Sequence, residues 1–271
     1  MRTLKYMLNR YVLRRPLLEG VSDLGIRLVF KTEDCLGRHV YKYGVYEREI
    51  TKLVLSLPFE DGDVFVDVGA HIGWYSLMVD RVIPRWVTVY SFEPEPFNYD
   101  LLVRNIKLNK AKNIHPFRVA LGNGEGTANI YLYKDINRGR HSLLPLYNYG
   151  VAEVEMTTLD KFIEARGVER VKLIKIDVEG FEYMVLKGAE ETLKRTDFLI
   201  LEVTPEYMIK GGVDYIEFIE FLSDLDFEFY LIKDSSLYRI RPQDIIFRSR
   251  GMNLFLHKPS VNLDVNSLLN S

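Results

Sequence analysis

Of 271 residues, one is cysteine (Cys35), one is glutamine (Gln243) and two are tryptophan. A single thiol excludes an internal disulfide framework and any cysteine-cluster metal site. Scarce glutamine beside plentiful Lys, Glu and Arg is a bias found in heat-adapted proteins. No uninterrupted apolar run approaches the ~18–20 residues of a membrane span. Excess charge is also missing: 36 Lys and Arg stand against 38 Asp and Glu, a formal net charge of −2 with no general pull toward nucleic acid. Two phosphate-binding signatures are absent as well. The glycines at 69 and 73 are separated by Ala70, His71 and Ile72, so no Gly-x-Gly-x-x-Gly dinucleotide fingerprint forms, and no Gly-Lys-Ser/Thr follows.

What is present is alternation. Residues 64–68, Val-Phe-Val-Asp-Val, form a β-rich apolar run of the kind buried on both faces of a sheet. Two glycines four apart follow, then Ile72, Tyr75, Ser76, Val79 and Ile83 recur on one helical face up to Pro84. Further strands are expected at 87–92, 116–120, 171–176 and 198–203, with helices at 46–57, 98–109 and 214–225 and one after Gly180. Thr158 reads as the N-cap of a short helix. Strands at 227–232 and 253–257 follow each other without a long helix between them, so they pair antiparallel. The class is α/β with a doubly wound, Rossmann-like sheet.

Three segments depart from that rhythm. Residues 1–43 form an N-terminal appendage, with a strand pair at 26–31 and 39–43 turning at Asp34-Cys35-Leu36-Gly37. Residues 122–157 form an insert, an antiparallel pair (127–133 and 151–157) flanking a polar loop. Residues 259–271 form a polar, frayed tail after a main domain over 44–258. The first fifteen residues are basic and partly apolar but lack a signal peptide's apolar core and cleavage site, so a cytoplasmic location is expected. They form either an amphipathic helix on an anionic membrane surface or, as expected here, a helix packing Leu4, Met7, Leu8 and Tyr11 onto the domain.

Three motifs carry chemistry. Asp67, ahead of Gly69 and Gly73, is a carboxylate near the end of a buried strand and needs a partner there. Glu93 ends the next strand, where an acid accepts from both hydroxyls of a ribose, and Pro94 stops the strand. Asp177 and Glu179 stand just past the end of a third strand. There they serve as general base, as positioning groups, as oxygen ligands for a divalent cation, or as helix N-terminal acids. In the inserted loop, His141 is a candidate base, and Arg138 and Arg140 are candidates for an anionic acceptor.

These residues resemble the FkbM-like methyltransferases over roughly 43–203. The resemblance rests on Gly44-x-Tyr46-Glu47, Phe65-Val66-Asp67-Val68-Gly69-Ala70-His71-Ile72-Gly73, Phe92-Glu93-Pro94-Glu95-Pro96 and residues 105–109. Thr158-Leu159-Asp160, Lys175-Ile176-Asp177-Val178-Glu179-Gly180-Phe181-Glu182 and Leu186-x-Gly188-Ala189 complete it. It implies a seven-stranded sheet with an antiparallel last strand, S-adenosylmethionine as cofactor, and methylation of a hydroxyl on a small molecule or sugar. It places Asp67, Gly69, Ala70, His71 and Gly73 along the methionine and ribose, and Glu93 on the ribose diol. Pro94, Val119 and Ala120 fall near the adenine, and Asp177 and Glu179 face the methyl group. His71 stands where the family usually has asparagine. No metal ligand set is assigned and the oligomeric state stays open. The alternatives are an RNA methyltransferase, for which no Asn-Pro-Pro-Tyr tetrapeptide is present, and a cofactor-binding scaffold without turnover.

Overall fold

In the computed structural model, which describes residues 2–134, 137–246 and 251–269, the chain opens with α1 (Arg2–Met7) and a wider helical turn over Leu8–Val12. Met1, residues 135–136 of the inserted loop and residues 270–271 of the tail lie outside the described residues, as do 247–250. Two antiparallel strands follow, β1 (Leu17–Val21) and β2 (Arg27–Lys31). The expected partner of residues 26–31 is therefore wrong: residues 39–43 belong to a helix, α2 (Cys35–Tyr43). Asp34 decides this, because its carboxylate caps the helix by accepting from the Gly37 amide at 3.0 Å. Gly37 also packs so closely on Phe30 that a Cβ there would stand 2.1 Å from the ring.

After α3 (Arg48–Ser56) the alternation runs as expected: β3 (Val64–Val68), α4 (Trp74–Val82), β4 (Thr88–Phe92), α5 (Pro96–Asn109) and β5 (Ile114–Phe117). The strand expected at 116–120 starts earlier and breaks. Its continuation, β6 (Ala120–Leu121), leaves for a small second sheet with β7 (Gly126–Tyr131) and β8 (Val151–Thr157), in the order β6-β8-β7. Thr158 does cap α6 (Leu159–Glu164), accepting from the Lys161 amide. Next come β9 (Val171–Ile176), α7 (Glu182–Lys187), α8 (Glu190–Lys194), β10 (Thr196–Val203), α9 (Pro205–Lys210) and α10 (Tyr215–Asp224). β11 (Glu228–Lys233), β12 (Ser236–Ile240) and β13 (Met252–His257) close the fold.

The main sheet has the order β12-β11-β13-β10-β9-β3-β4-β5. It holds eight strands rather than the expected seven, because β12 adds a hairpin edge to β11. β10, β9, β3, β4 and β5 are parallel, and β13 inserts antiparallel between β11 and β10. All five residues of β3 and all six of β9 are buried, which explains their unbroken apolar character. Alternate side chains feed two cores. Phe65 and Leu173 join α3, α4 and α5 on one face; Val64, Val66, Val68 and Ile174 join α6, α7 and α10 on the other. The chain winds outward in opposite directions from β3 and β9, and their carboxyl ends form the switch point where ligands bind in such sheets.

The N-terminal strands are tied to this core by two asparagines one helical turn apart on α5. Asn105 Oδ1 and Nδ2 bond the Val29 N–H and C=O at 2.7 and 3.1 Å, and Asn109 does the same for Arg27 at 2.9 and 2.7 Å. The side-chain amides thus satisfy the free edge of β2 as a neighbouring strand would.

Both chain ends depart from expectation. Leu4, Met7, Leu8 and Tyr11 are exposed, and Tyr6 and Asn9 are the residues of that segment that pack inward. The tail is not frayed to its end: Leu268 and Leu269 are buried, and Lys52 Nζ donates to the Leu269 carbonyl at 2.7 Å. Among the described residues no helix is long and apolar enough to cross a membrane.

Candidate active site

The turn leaving β3 is held by the end of β4. The Gly69 and Ala70 amides both donate to the Phe92 carbonyl, at 3.0 and 2.9 Å. Gly69 sits at φ +81°, and a Cβ there would stand 1.9 Å from the Asp177 carbonyl oxygen. Only glycine permits both the backbone angle and the close approach. Gly73, at φ +93°, starts α4 against Leu102 and lines neither cavity described below. His71 adopts φ +50°. Its amide donates to Glu93 Oε2 at 3.0 Å, and its Nε2 makes no hydrogen bond, with Asp34 Oδ1 3.6 Å away.

Asp67 lies beneath this loop and lines neither cavity described below. It is buried, accepts from the Ser76 hydroxyl through Oδ2, and leaves Oδ1 without a hydrogen bond. Burial pushes its carboxyl above the usual range, opposed by the Lys175 ammonium and the Ser76 bond. The sequence expectation sets Asp67 along the methionine and ribose; in the structure it is buried beside Lys175, its register partner across β3 and β9.

Two cavities open at the switch point. The smaller, about 40 Å³, is a slot walled by Glu93, Pro94, Val119, Ala120 and Ile130, with Arg138 and His141 from the insert. Glu93 is fixed by two backbone donors, His71 on Oε2 and Glu95 on Oε1 at 2.9 Å. Burial pushes its carboxyl up to about 8. The insert closes over the slot through Arg138. Its guanidinium bonds Glu95 Oε1 at 2.9 Å and lies over the Phe97 ring, and its carbonyl accepts from Asn98 Nδ2 at 3.1 Å. His141 Nδ1 accepts from the Tyr133 amide at 2.8 Å. The candidate base therefore lines the slot, and the next residue, Ser142, donates to the Glu179 carbonyl at 2.8 Å.

The larger cavity, about 470 Å³, is lined by Asp177 and Glu179 as expected, and by Tyr46, Glu47, Tyr75, Lys175, Arg140, Glu202, Glu206 and Tyr207. Lys175, 2% exposed, is its centre. Its Nζ meets Asp177 Oδ2 at 3.1 Å and lies 4.6 Å from the Tyr75 ring centroid. Burial works against this ammonium, yet Asp177, Glu47, Asp67 and Glu202 together hold it above the ordinary lysine range. Crowding acts on the acids in return. Asp177 and then burial drive Glu202 well up, and burial and then Asp177 bring Glu179 to about 8, with Arg140 opposing. Glu47, bonded by the Tyr75 hydroxyl, is raised by burial. The Asp177–Gly180 turn is fixed from behind by Glu182, whose Oε1 accepts from the Val178 and Gly180 amides at 3.3 and 3.0 Å.

Gly69, His71, Gly139 and Asp177 line both cavities, so the two meet there. Lys175 and Glu47 stand in the quoted motifs without an assigned role, and Glu202 lies at the end of the strand expected at 198–203. Glu202 had a legible signal, an acid at the carboxyl end of a parallel strand like Glu93. For Glu47, Tyr75 and Tyr207 the sequence carried none.

A doubly wound sheet with its last strand reversed, and an acid-bearing glycine loop at the switch point, define a methyltransferase-type α/β enzyme. The chain belongs to the methyltransferase FkbM domain family, whose profile matches residues 67–229. It is 27% identical over 212 residues to the hexuronic acid methyltransferase AglP of Haloferax volcanii, covering 78% of this chain and 82% of that protein. It is 31% identical over 157 residues to the methyltransferase sdnD of Sordaria araneosa, covering 46% and 60% of the two. The 2-O-methyltransferase NoeI of Sinorhizobium fredii is 23% identical over 193 residues, covering 66% and 78%. Among solved structures, a protein of Clostridium thermocellum assigned to the rRNA methylases shares the fold, with a TM-score of 0.50, 8% identity, and coverage of 80% of this chain and 98% of that one. The chain spans about 60% of the length of some relatives, as with sdnD.

Proposed function

We propose that this methyltransferase transfers the methyl group of S-adenosylmethionine to a hydroxyl of a carbohydrate acceptor. The observation that carries the reading is the meeting of the slot and the acid-lined cavity at Gly69, His71, Gly139 and Asp177. The residues fit the cofactor. Glu93 keeps lone pairs free beside its two backbone donors for a ribose diol, and Pro94, Val119 and Ala120 offer a flat, largely apolar wall for a purine. Gly69, Ala70 and the hydrogen-bond-free Nε2 of His71 border the junction. Five carboxylates against two fixed cations, Lys175 and Arg140, suit a ligand bearing an ammonium and a sulfonium.

The cofactor supplies an electrophilic methyl group for in-line displacement. The chain's task is to align the acceptor oxygen and remove its proton. Glu179, raised to about 8, is matched to proton uptake near neutral pH. Asp177, held by Lys175, orients the acceptor hydroxyl. His141, on the slot side, shapes the cover over the cofactor.

The acceptor reading rests on carboxylates alternating with Tyr46, Tyr75 and Tyr207. Hydroxyls donate to the first and sugar C–H faces pack on the second. Arg140, 4.0 Å from Glu179 and partly exposed at the mouth, is placed to meet an acidic substituent, as a hexuronic acid carries. The same excess of carboxylates opposes a nucleic-acid backbone. A cytoplasmic location belongs to the same proposal. Calorimetric titration with S-adenosylmethionine, followed by methyl transfer to a panel of neutral sugars and hexuronates, tests the reading. Absence of cofactor binding overturns it, and transfer to RNA alone overturns the acceptor.

A further inference from the structure

Of residues 2–15, only Tyr6 and Asn9 are buried. Tyr6 donates to the Thr32 carbonyl at 2.6 Å and its ring packs against Tyr41 of α2, so α1 is docked by that side. Across α1 and the wider turn that continues it, Met7, Tyr11, Leu4, Leu8 and Val12 form an exposed apolar arc away from the side that Tyr6 and Asn9 bury. Their exposures are 48%, 62%, 74%, 49% and 68%, and Leu13 adds another at 50%. Lys5 and Arg14 are exposed beside the arc, and Arg10 reaches toward the docked side, where its Nη1 donates to the Tyr6 hydroxyl at 2.9 Å. Arg2 and Arg15 complete five cations, and the first acid in the chain is Glu19.

We propose that this segment docks the protein on the surface of an anionic lipid bilayer. An apolar arc is what an amphipathic helix ordinarily buries, yet here the segment is held to the protein through Tyr6 and Asn9 instead. The cationic borders select the occupant. Apolar side chains enter the acyl boundary while Lys and Arg stems carry their charges to lipid phosphates. A nucleic acid would use the cations and leave the arc wet. A second copy related by a two-fold axis would set these basic borders against each other. Because α1 packs on α2, and α2 carries Leu36 to the larger cavity, docking also fixes the orientation of that cavity to the membrane.

The test uses the full chain and sucrose-loaded vesicles of phosphatidylcholine alone or mixed with phosphatidylglycerol. The protein is expected to sediment with the mixed vesicles, less so at high salt, and not with phosphatidylcholine alone. Leu4→Glu with Leu8→Glu, and separately Lys5→Glu with Arg14→Glu, are each expected to lower partitioning roughly tenfold or more. Melting temperature should hold, because all four side chains are exposed. A Leu8→Trp variant should shift its emission to the blue on adding mixed vesicles. Equal sedimentation with both vesicle types, or partitioning unchanged by both variants, overturns the proposal. So does a dimer, seen by ultracentrifugation without lipid, that Leu8→Glu dissociates.

Discussion

The Asp177 carbonyl oxygen occupies the place a side chain on Gly69 would need, 1.9 Å from an ideal Cβ. This contact locks the turn after β3 to the turn after β9, the two loops that meet at the junction of the cavities. Gly69→Ala combines a left-handed backbone penalty of about 1–2 kcal/mol with a backbone clash. It is expected to lower stability by at least that amount and to abolish cofactor binding. Urea unfolding and calorimetric titration check this. Gly124→Ala, at a position with open space and an ordinary φ, is the neutral control.

Glu93 satisfies the His71 and Glu95 amides at once. Glu93→Ala strands two buried donors, at about 1–3 kcal/mol each, and removes the acceptor for a ribose diol. Affinity for S-adenosylhomocysteine should drop more than tenfold. Glu93→Gln, which accepts through one oxygen only, should fall between the two.

Lys175 is the single buried cation among Asp177, Glu47, Asp67 and Glu202. Lys175→Met removes the cation that faces these carboxyl groups, and a loss of about 3–5 kcal/mol is expected near pH 8. At pH 5 the loss should be smaller, because Glu47, Asp67 and Glu202 are all shifted upward, toward protonation. Denaturant titrations at the two pH values decide it.

The pH dependence of the ligand-free protein follows from three carboxyls. Burial raises Glu93 and Glu179 to about 8 and Glu182 to about 7, from an ordinary 4.5. The native state holds protons that the unfolded chain releases, so this stabilisation is complete below pH 4.5 and is lost as pH rises through 7 to 8. Melting temperature should decline steadily from pH 5 to about 8.5. A cationic cofactor favours the ionised forms, so its binding at pH 7 should release protons. Titrations in two buffers of different ionisation enthalpy measure that release.

Much of the framework was legible because it is local. β3 and β9 are largely apolar because they are buried on both faces, and β13 runs antiparallel because no long crossover helix joins it to β11. Glu93, Asp177 and Glu179 could be placed because strand ends in a parallel sheet share one edge. The α2 helix was missed because Asp34 was taken for a turn residue when it is a cap. The eighth strand was missed because a short polar edge strand such as β12 carries little hydrophobic signal.

The sequence by itself determined the winding of the sheet, the glycine turn and the acids at its rim, all encoded in short-range periodicity and turn chemistry. Tertiary structure decided what those groups do to one another. It buried Asp67 beneath the loop beside Ser76, gathered Glu47, Lys175 and Glu202 into one charge cluster, and set His141 on the slot side. It also turned the apolar arc of α1 outward, and let Asn105 complete the edge of a strand 76 residues away. Periodicity reports which faces are apolar. What covers a face, and which charges share a desolvated space, depends on contacts between residues far apart in the chain.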